Sequence, residues 1–161
     1  LEETVGIREA KVGDAEEIYA LVCELAAAVG DNPPAFGPVE ARLRELLEEP
    51  RAGVLVAETV EGVVGAVSLW IKPDLAHGDT VVEVPMLVVS EDARRRGVGK
   101  ALMEEVQSVA SKARASVIEL VATSANVAAR EFYRSLGFVE TDHVALEFVG
   151  DVHDPPDPDE R

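Results

Sequence analysis

Four cations, Arg94, Arg95, Arg96 and Lys100, fall within seven residues of a chain whose formal net charge is −16 at pH 7. Gly97 and Gly99 are interleaved with them. Glycine admits φ values closed to other residues and lets backbone N–H groups approach a ligand with no Cβ in the way. Where such a stretch opens a helix, the unpaired N–H groups and the helix dipole favour an anion. The chemistry on offer is phosphate binding, set into a surface that otherwise repels phosphate. Two phosphate motifs do not fit. A P-loop, Gly-x4-Gly-Lys-Ser/Thr, needs glycine at 94 and a hydroxyl at 101, where Arg94 and Ala101 stand. A dinucleotide fingerprint, Gly-x-Gly-x-x-Gly, needs glycine at 102, where Leu102 stands, and belongs after a first strand rather than late in a chain.

The elements that must hold this stretch can be read from periodicity. A short strand alternates over residues 5–8. Asp14 precedes Glu17 by three residues, the spacing of a capping box, and Ile18, Leu21, Val22, Leu25 and Val29 then recur at helical spacing up to Gly30. Pro33 and Pro34 stop that helix. A second helix from Pro38 carries Val39, Leu43, Leu46 and Leu47 on one face and ends before Pro50, a cover over whatever site the sheet forms. Residues 53–60 and 63–71 read as strands joined at Glu61-Gly62, and 72–79 as a loop. A fourth strand spans 80–90, where Pro85 removes a ladder donor and predicts a bulge or splay. Val98, Leu102, Val106 and Val109 mark a helix, 116–122 a strand, 126–136 a helix closed by Gly137, and 144–149 a last strand.

The order is β-α-α-β-β-β-α-β-α-β, an α/β (α+β) mixed sheet in one domain over residues 1–150. The tail, residues 151–161, holds five acids and three prolines and is expected to be disordered. The fourth strand, its following helix and the fifth strand form a crossover unit, so these two strands should be parallel. Ligands of such sheets bind beyond the carboxyl ends of the strands, which is where the cation–glycine stretch lies.

Arg94-x-x-Gly97-x-Gly99 matches the pattern Arg/Gln-x-x-Gly-x-Gly/Ala. Further on stands Asn126-x-x-Ala129-Arg130-x-Phe132-Tyr133-x-x-Leu136-Gly137-Phe138. Together, and in this order, they resemble the two signatures of the GNAT N-acetyltransferase superfamily. The element order agrees with that topology over residues 5–149, and the residue-level resemblance covers about 82–138. It implies that the fourth and fifth strands splay and that acetyl-CoA is the cosubstrate, with no metal. The backbone N–H groups of Arg95, Arg96, Gly97, Val98, Gly99 and Lys100 would take the pyrophosphate, with the side chains of Arg94, Arg96 and Lys100 reaching phosphates from outside. Leu87 and Val89 would offer strand-edge backbone groups to the pantetheine amides, and the backbone N–H groups of the cofactor-binding stretch Leu87, Val88 and Val89 would stabilise the charge developing on the thioester oxygen. Asn126 is a plain helix N-cap to which the resemblance adds a pantetheine contact.

For the chemistry, the resemblance makes Tyr133 the acid that reprotonates the departing thiolate, a phenol near pKa 10 facing a thiol near 8.5. Family members commonly carry a glutamate base in the fourth strand. Counting back from Val89 puts Pro85 at that position and Glu83 two residues earlier on the same nominal face, so Glu83 is taken as the base, ahead of Asp79 and His77. His143 and His153 have no Cys/His spacing that makes a metal site. The resulting function is transfer of acetyl from acetyl-CoA to a primary amine by direct attack. The alternative is an acyl-CoA sensor that keeps the cradle without catalysis, since Pro85 replaces the expected glutamate. A nucleotide phosphotransferase would require the P-loop that is missing.

Composition narrows the partners. Hydrophobic residues make up 47% and charged residues 29%, enough apolar material for a core, whereas aromatics at 4% make that core aliphatic. The 31 acids against 15 Lys and Arg disfavour nucleic acid and anionic membrane and favour a cationic amine or peptide amine acceptor. The single Cys23 forms no internal disulfide, and no secretory leader pattern is visible, so a cytoplasmic protein is expected. The resemblance also implies a homodimer.

Overall fold

The structure, a computed structural model, describes residues 4–150, 152 and 153. The elements are β1 (Gly6–Glu9), α1 (Ala15–Val29), α2 (Phe36–Glu48), β2 (Ala52–Thr59), β3 (Gly62–Asp74), β4 (Asp79–Val89), α3 (Val98–Lys112), β5 (Val117–Glu119) and α4 (Val127–Ser135). Single 3-10 turns at Val12–Asp14 and Glu91–Ala93 precede α1 and follow β4. The strands lie in the order β1-β2-β3-β4-β5, antiparallel except for the parallel pair β4–β5. The chain forms two compact units that divide after Val127.

In the first unit β2 and β3 are central and apolar on both faces, the pattern of strands covered from both sides. One face packs Val54, Val56, Ala66 and Val88 against Ile18 and Leu21 of α1 and Leu43 of α2. The other receives α3, whose Val98, Leu102, Met103 and Val106 are fully buried. The approach of α3 is close at Gly65, where an added Cβ would lie 3.0 Å from Val98, 3.2 Å from Leu102 and 3.3 Å from the Val88 carbonyl. Gly65→Ala is therefore expected to destabilise the fold by about 1–3 kcal/mol through overpacking, read as a lower urea midpoint.

Three expectations about the elements change. Asp14 does not cap α1 through its side chain. Instead its carboxylate takes two bonds from Arg8 (2.8 and 2.9 Å) and one from the Lys11 N–H (2.8 Å), while Glu17 accepts from the Val63 N–H (2.8 Å) and fastens α1 to the β2–β3 turn. The segment expected as a loop from Lys72 is a continuation of β3 to Asp74, paired with β4 as far as Asp74↔Asp79. The expected last strand over residues 144–149 is not formed. Its alternation is strand-like, but no strand pairs with it among the described residues, and Val144, Leu146 and Val149 are exposed. Apart from 152 and 153, the expected disordered tail lies outside the described residues.

The Arg8–Asp14 pair also makes a prediction. Asp14 is buried, and the Arg8 hydrogen bonds hold its carboxyl below the usual carboxylate range. A depressed folded-state pKa contributes stability that is complete above the unfolded value, about 3.9, and is lost as pH falls through the folded value. Asp14→Asn should lower stability by about 2 kcal/mol at pH 7, the scale of hydrogen bonds to charged groups. Urea titrations across pH should show this difference shrinking below about pH 4.

Candidate functional site

Pro85 has the local consequence its chemistry requires. The β3–β4 register slips between Ser68 and Trp70, which pair with Met86 and Glu83 respectively. Leu69 thus faces Val84 and Pro85 together, a β-bulge around a residue with no N–H to donate. The bulge turns Glu83 over. Without it Glu83 would share a face with Leu87 and Val89, as counting by twos expects. With it, Glu83 sits on the face of Met86 and Val88, directly across from Trp70 and toward the α1–α2 side.

The β4–β5 pairing runs from Val81↔Val117 to Glu83↔Glu119 and stops, so these strands separate just ahead of Pro85. Beyond that point the outer edge of β4 faces no strand of the described residues. Which groups point outward follows from one bond. The Ser90 N–H donates to the Val64 carbonyl (2.8 Å), which makes 64:90, and by alternation 66:88, the hydrogen-bonded pairs of the β3–β4 ladder. Val88 therefore spends its backbone groups on β3. Leu87 and Val89 point theirs outward, and the Val89 carbonyl takes a bond from Arg94 Nε (3.3 Å).

Immediately after this edge the backbone changes hand twice. Arg95 has φ +63° and Gly97 φ +76°. Alternating left- and right-handed residues gather successive N–H groups into a concavity suited to an anion. Gly97 is the N-cap of α3, and the first bond donated within the helix comes from Ala101 to the Gly97 carbonyl (3.0 Å). The N–H groups of Val98, Gly99 and Lys100 are thus the free donors of a helix N-terminus. The cations around them make ion pairs with neighbouring carboxylates. Arg96 lies 3.8 Å from Glu61, and Lys100 lies 3.9 Å from Glu104. Exposed pairs of this kind contribute at most about 1 kcal/mol, so an incoming anion can recruit Lys100. The residues fit an anionic cofactor group at this position.

The other end of β4 carries carboxylates. A cleft of about 410 Å³ is lined by Lys72, Pro73, Asp74, Val81 and Glu119. Glu83 forms an ion pair with Lys72, which faces Val81 across the β3–β4 ladder, and Glu119 is the parallel-register neighbour of Glu83. The carboxylates of Glu83 and Glu119 hold the Lys72 ammonium pKa above the usual lysine value. His77 bonds Asp74 (2.6 Å), which raises the imidazole and lowers the carboxyl, and Ser116 bonds Asp79. The runners-up His77 and Asp79 are thus each engaged by a partner. Among the described residues no group of three or more His, Cys, Asp or Glu side chains could hold a metal ion.

Sequence reasoning missed Lys72 and Glu119, because both depend on strand register. It also missed Glu24 of α1, which accepts from the Glu91 N–H (3.2 Å) and ties the helix to the turn leading into the cradle. The apolar–polar alternation of residues 71–74 was the available signal for extending β3 to Lys72.

Asn126 directly precedes α4, and its N–H donates to the Thr123 carbonyl (2.9 Å). In the second unit, Tyr133 is half-buried between Phe132 and Phe138, with ring centroids 5.3 and 5.6 Å away. Burial raises its phenol pKa, so the hydroxyl stays protonated and can act as an acid. Gly137, at φ +95°, ends this helix, and the Phe138 N–H returns to the Tyr133 carbonyl (3.0 Å). Arg130 and Arg134 both grip Glu140, at 2.7 and 3.1 Å.

Comparison with known proteins gives a consistent answer. The model of the acetyltransferase (GNAT) family matches residues 18–138. An aminoalkylphosphonate N-acetyltransferase of Salmonella typhimurium is 27% identical over 135 residues, 84% of this chain and 85% of that protein. Among solved structures, an aminoglycoside N-acetyltransferase in complex with CoA superposes with a TM-score of 0.79 at 21% identity, covering 90% of this chain and 94% of its own. A ribosomal-protein-alanine N-acetyltransferase from Brucella melitensis biovar Abortus 2308 gives 0.70 at 23% identity, covering 89% and 98%. At these identities the solved structures establish the fold.

Proposed function

Because the chain belongs to the GNAT acetyltransferase family, we propose that it moves an acetyl group from acetyl-CoA to a primary amine by direct attack of that amine. The observation that carries this is the continuity of the β4 edge with the cradle. The outward groups of Leu87 and Val89 lead straight into the two left-handed turns and the free N–H groups of α3. That run can take a long ligand with amides at one end and phosphates at the other. Acetyl-CoA supplies the activated acyl group when bound. The Arg95–Lys100 backbone and the side chains of Arg94, Arg96 and Lys100 hold its phosphates, and Asn126 contributes a pantetheine contact. The outward N–H groups of Leu87 and Val89 face the oxygen on which charge develops.

Glu83 takes the proton that an ammonium must lose before its nitrogen can attack, a step needed because amines of lysine type have a pKa near 10.4. The bulge at Pro85 supports this role, since it presents Glu83 on the α1–α2 side of the sheet. Tyr133 is assigned as the acid for the leaving thiolate by its motif position and its protonated state. A cytoplasmic homodimer completes the reading, and sedimentation checks the oligomer. The sensor alternative has no support in the relatives, which are named for acetyl transfer.

The acceptor is assigned as cationic from the charge of −16 and from Asp74 and Glu119, which line the cleft, with Glu83 beside Glu119 in register. The relative named for aminoalkylphosphonates sets the contrast, because such an acceptor carries an anion beside its amine. Long-range attraction is screened over roughly 8–10 Å at 0.1–0.15 M salt. The KM of a polyamine acceptor should rise with ionic strength in an assay of CoA thiol release. A salt-independent KM, with an aminoalkylphosphonate as the better substrate, would remove the cationic assignment.

A further inference from the structure

The chain's own primary amine already stands at the proposed base. Lys72 Nζ is ion-paired with Glu83, and Glu83 is the last β4 residue paired to β5 before those strands separate. Lys72 and Glu83 lie on one face of the sheet, by the register that pairs Lys72 with Val81 and Trp70 with Glu83. The lysine is exposed and lines the open cleft of about 410 Å³, so no packing holds it away from an acyl group delivered along the β4 edge. We propose that Lys72 is a self-acetylation site of this enzyme, modified by the bound acetyl thioester when no acceptor amine occupies the cleft. The inference rests on the acetyltransferase reading above.

The step balances. Glu83 takes one proton from the ammonium, and the freed lone pair attacks the thioester carbonyl carbon. The N–C bond forms as the C–S bond breaks. A second proton leaves nitrogen, so that one of the two ends on the CoA thiol and the other passes to solvent. The product is an amide that carries no charge and no longer pairs with Glu83. Self-acetylation therefore neutralises the one lysine among the described residues lining the cleft and leaves Glu83, Glu119 and Asp74 for a cationic acceptor.

Other lysines are the internal controls. The sequence contains four, Lys11, Lys72, Lys100 and Lys112. Spontaneous reaction with acetyl-CoA would label them according to exposure, whereas a positioned amine gains from effective molarity. The purified chain is incubated with acetyl-CoA alone, and acetylation at each lysine is followed by peptide mass spectrometry, with thiol release to an added polyamine measured in parallel. Lys72 should gain one acetyl group at least about ten-fold faster than any other lysine, a small fraction of what positioning can supply. Its rate should be independent of protein concentration, fall in Glu83→Gln, and be suppressed by excess polyamine. Labelling spread over all four lysines, or an unmodified Lys72 in a preparation that acetylates the polyamine, overturns the inference and leaves the acetyltransferase reading intact. Acetylation of neither Lys72 nor any added amine overturns both.

Discussion

Tyr133→Phe should lower acetyl transfer by about 10²-fold, the lower range for removing a general acid, without weakening acetyl-CoA binding. The substitution deletes one oxygen and keeps the ring. The contacts with Phe132 and Phe138, at 5.3 and 5.6 Å, therefore survive. A hydroxyl needed only for packing would leave turnover unchanged. A hydroxyl needed for the leaving thiolate would lower kcat and kcat/KM together, because its interaction is made only in the transition state. Since burial raises the Tyr133 pKa, loss of activity from ionising this group should set in above the ordinary phenol range near pH 10 rather than below it. Steady-state kinetics of the two forms across pH measures both effects.

The second large effect lies in the cradle. Acetyl-CoA at 100 times its Kd should stabilise the folded chain by about 2.7 kcal/mol, or roughly 5–11 °C for a chain of this size, whereas ATP and NAD should give no shift. Gly99→Val should abolish the acetyl-CoA shift. Gly99 lies in the first turn of α3 and is not among the glycines of positive φ, so its backbone accepts a side chain without the conformational strain present at Gly97, and the added Cβ stands beside the free N–H groups. Gly97→Val should lose the shift as well and also melt earlier. At φ +76° any L side chain is strained, at about 1–2 kcal/mol. Thermal denaturation of both variants with and without acetyl-CoA separates blocked binding from lost stability. A full shift in folded Gly99→Val would move the cofactor elsewhere.

What was legible in the sequence was local. The cradle is a contiguous run, and the left-handed turn at Gly97, the helix start at Val98 and the left-handed Gly30 and Gly137 are each dictated by residues a few positions apart. Pro85 announced an irregularity because a missing donor is a property of that residue alone. Which way the irregularity turned Glu83 was not legible, since the face depends on β3 pairing across the bulge, a partner more than ten residues away in the chain. The same holds for Lys72 and Glu119, which reach Glu83 only through strand register. The Asp14–Glu17 spacing misled for a related reason. Both carboxylates found partners outside the helix, Arg8 of β1 for one and the Val63 N–H of β3 for the other. Residues 144–149 misled because alternation describes a strand's faces and says nothing of the neighbour its backbone must pair with.

In the proposed reaction the β4 edge, the cradle and Glu83 serve transfer of acetyl from acetyl-CoA to an amine. This transfer is tested most directly by incubating the chain with acetyl-CoA and a panel of polyamines, aminoalkylphosphonates, amino acids and peptide amines, then identifying acetylated products by mass. One N-acetyl product is expected per CoA thiol released, fastest with a polyamine. The proposed reaction is contradicted if acetyl-CoA binds and stabilises the chain while no amine in the panel is acetylated, the behaviour of a sensor and not of an enzyme.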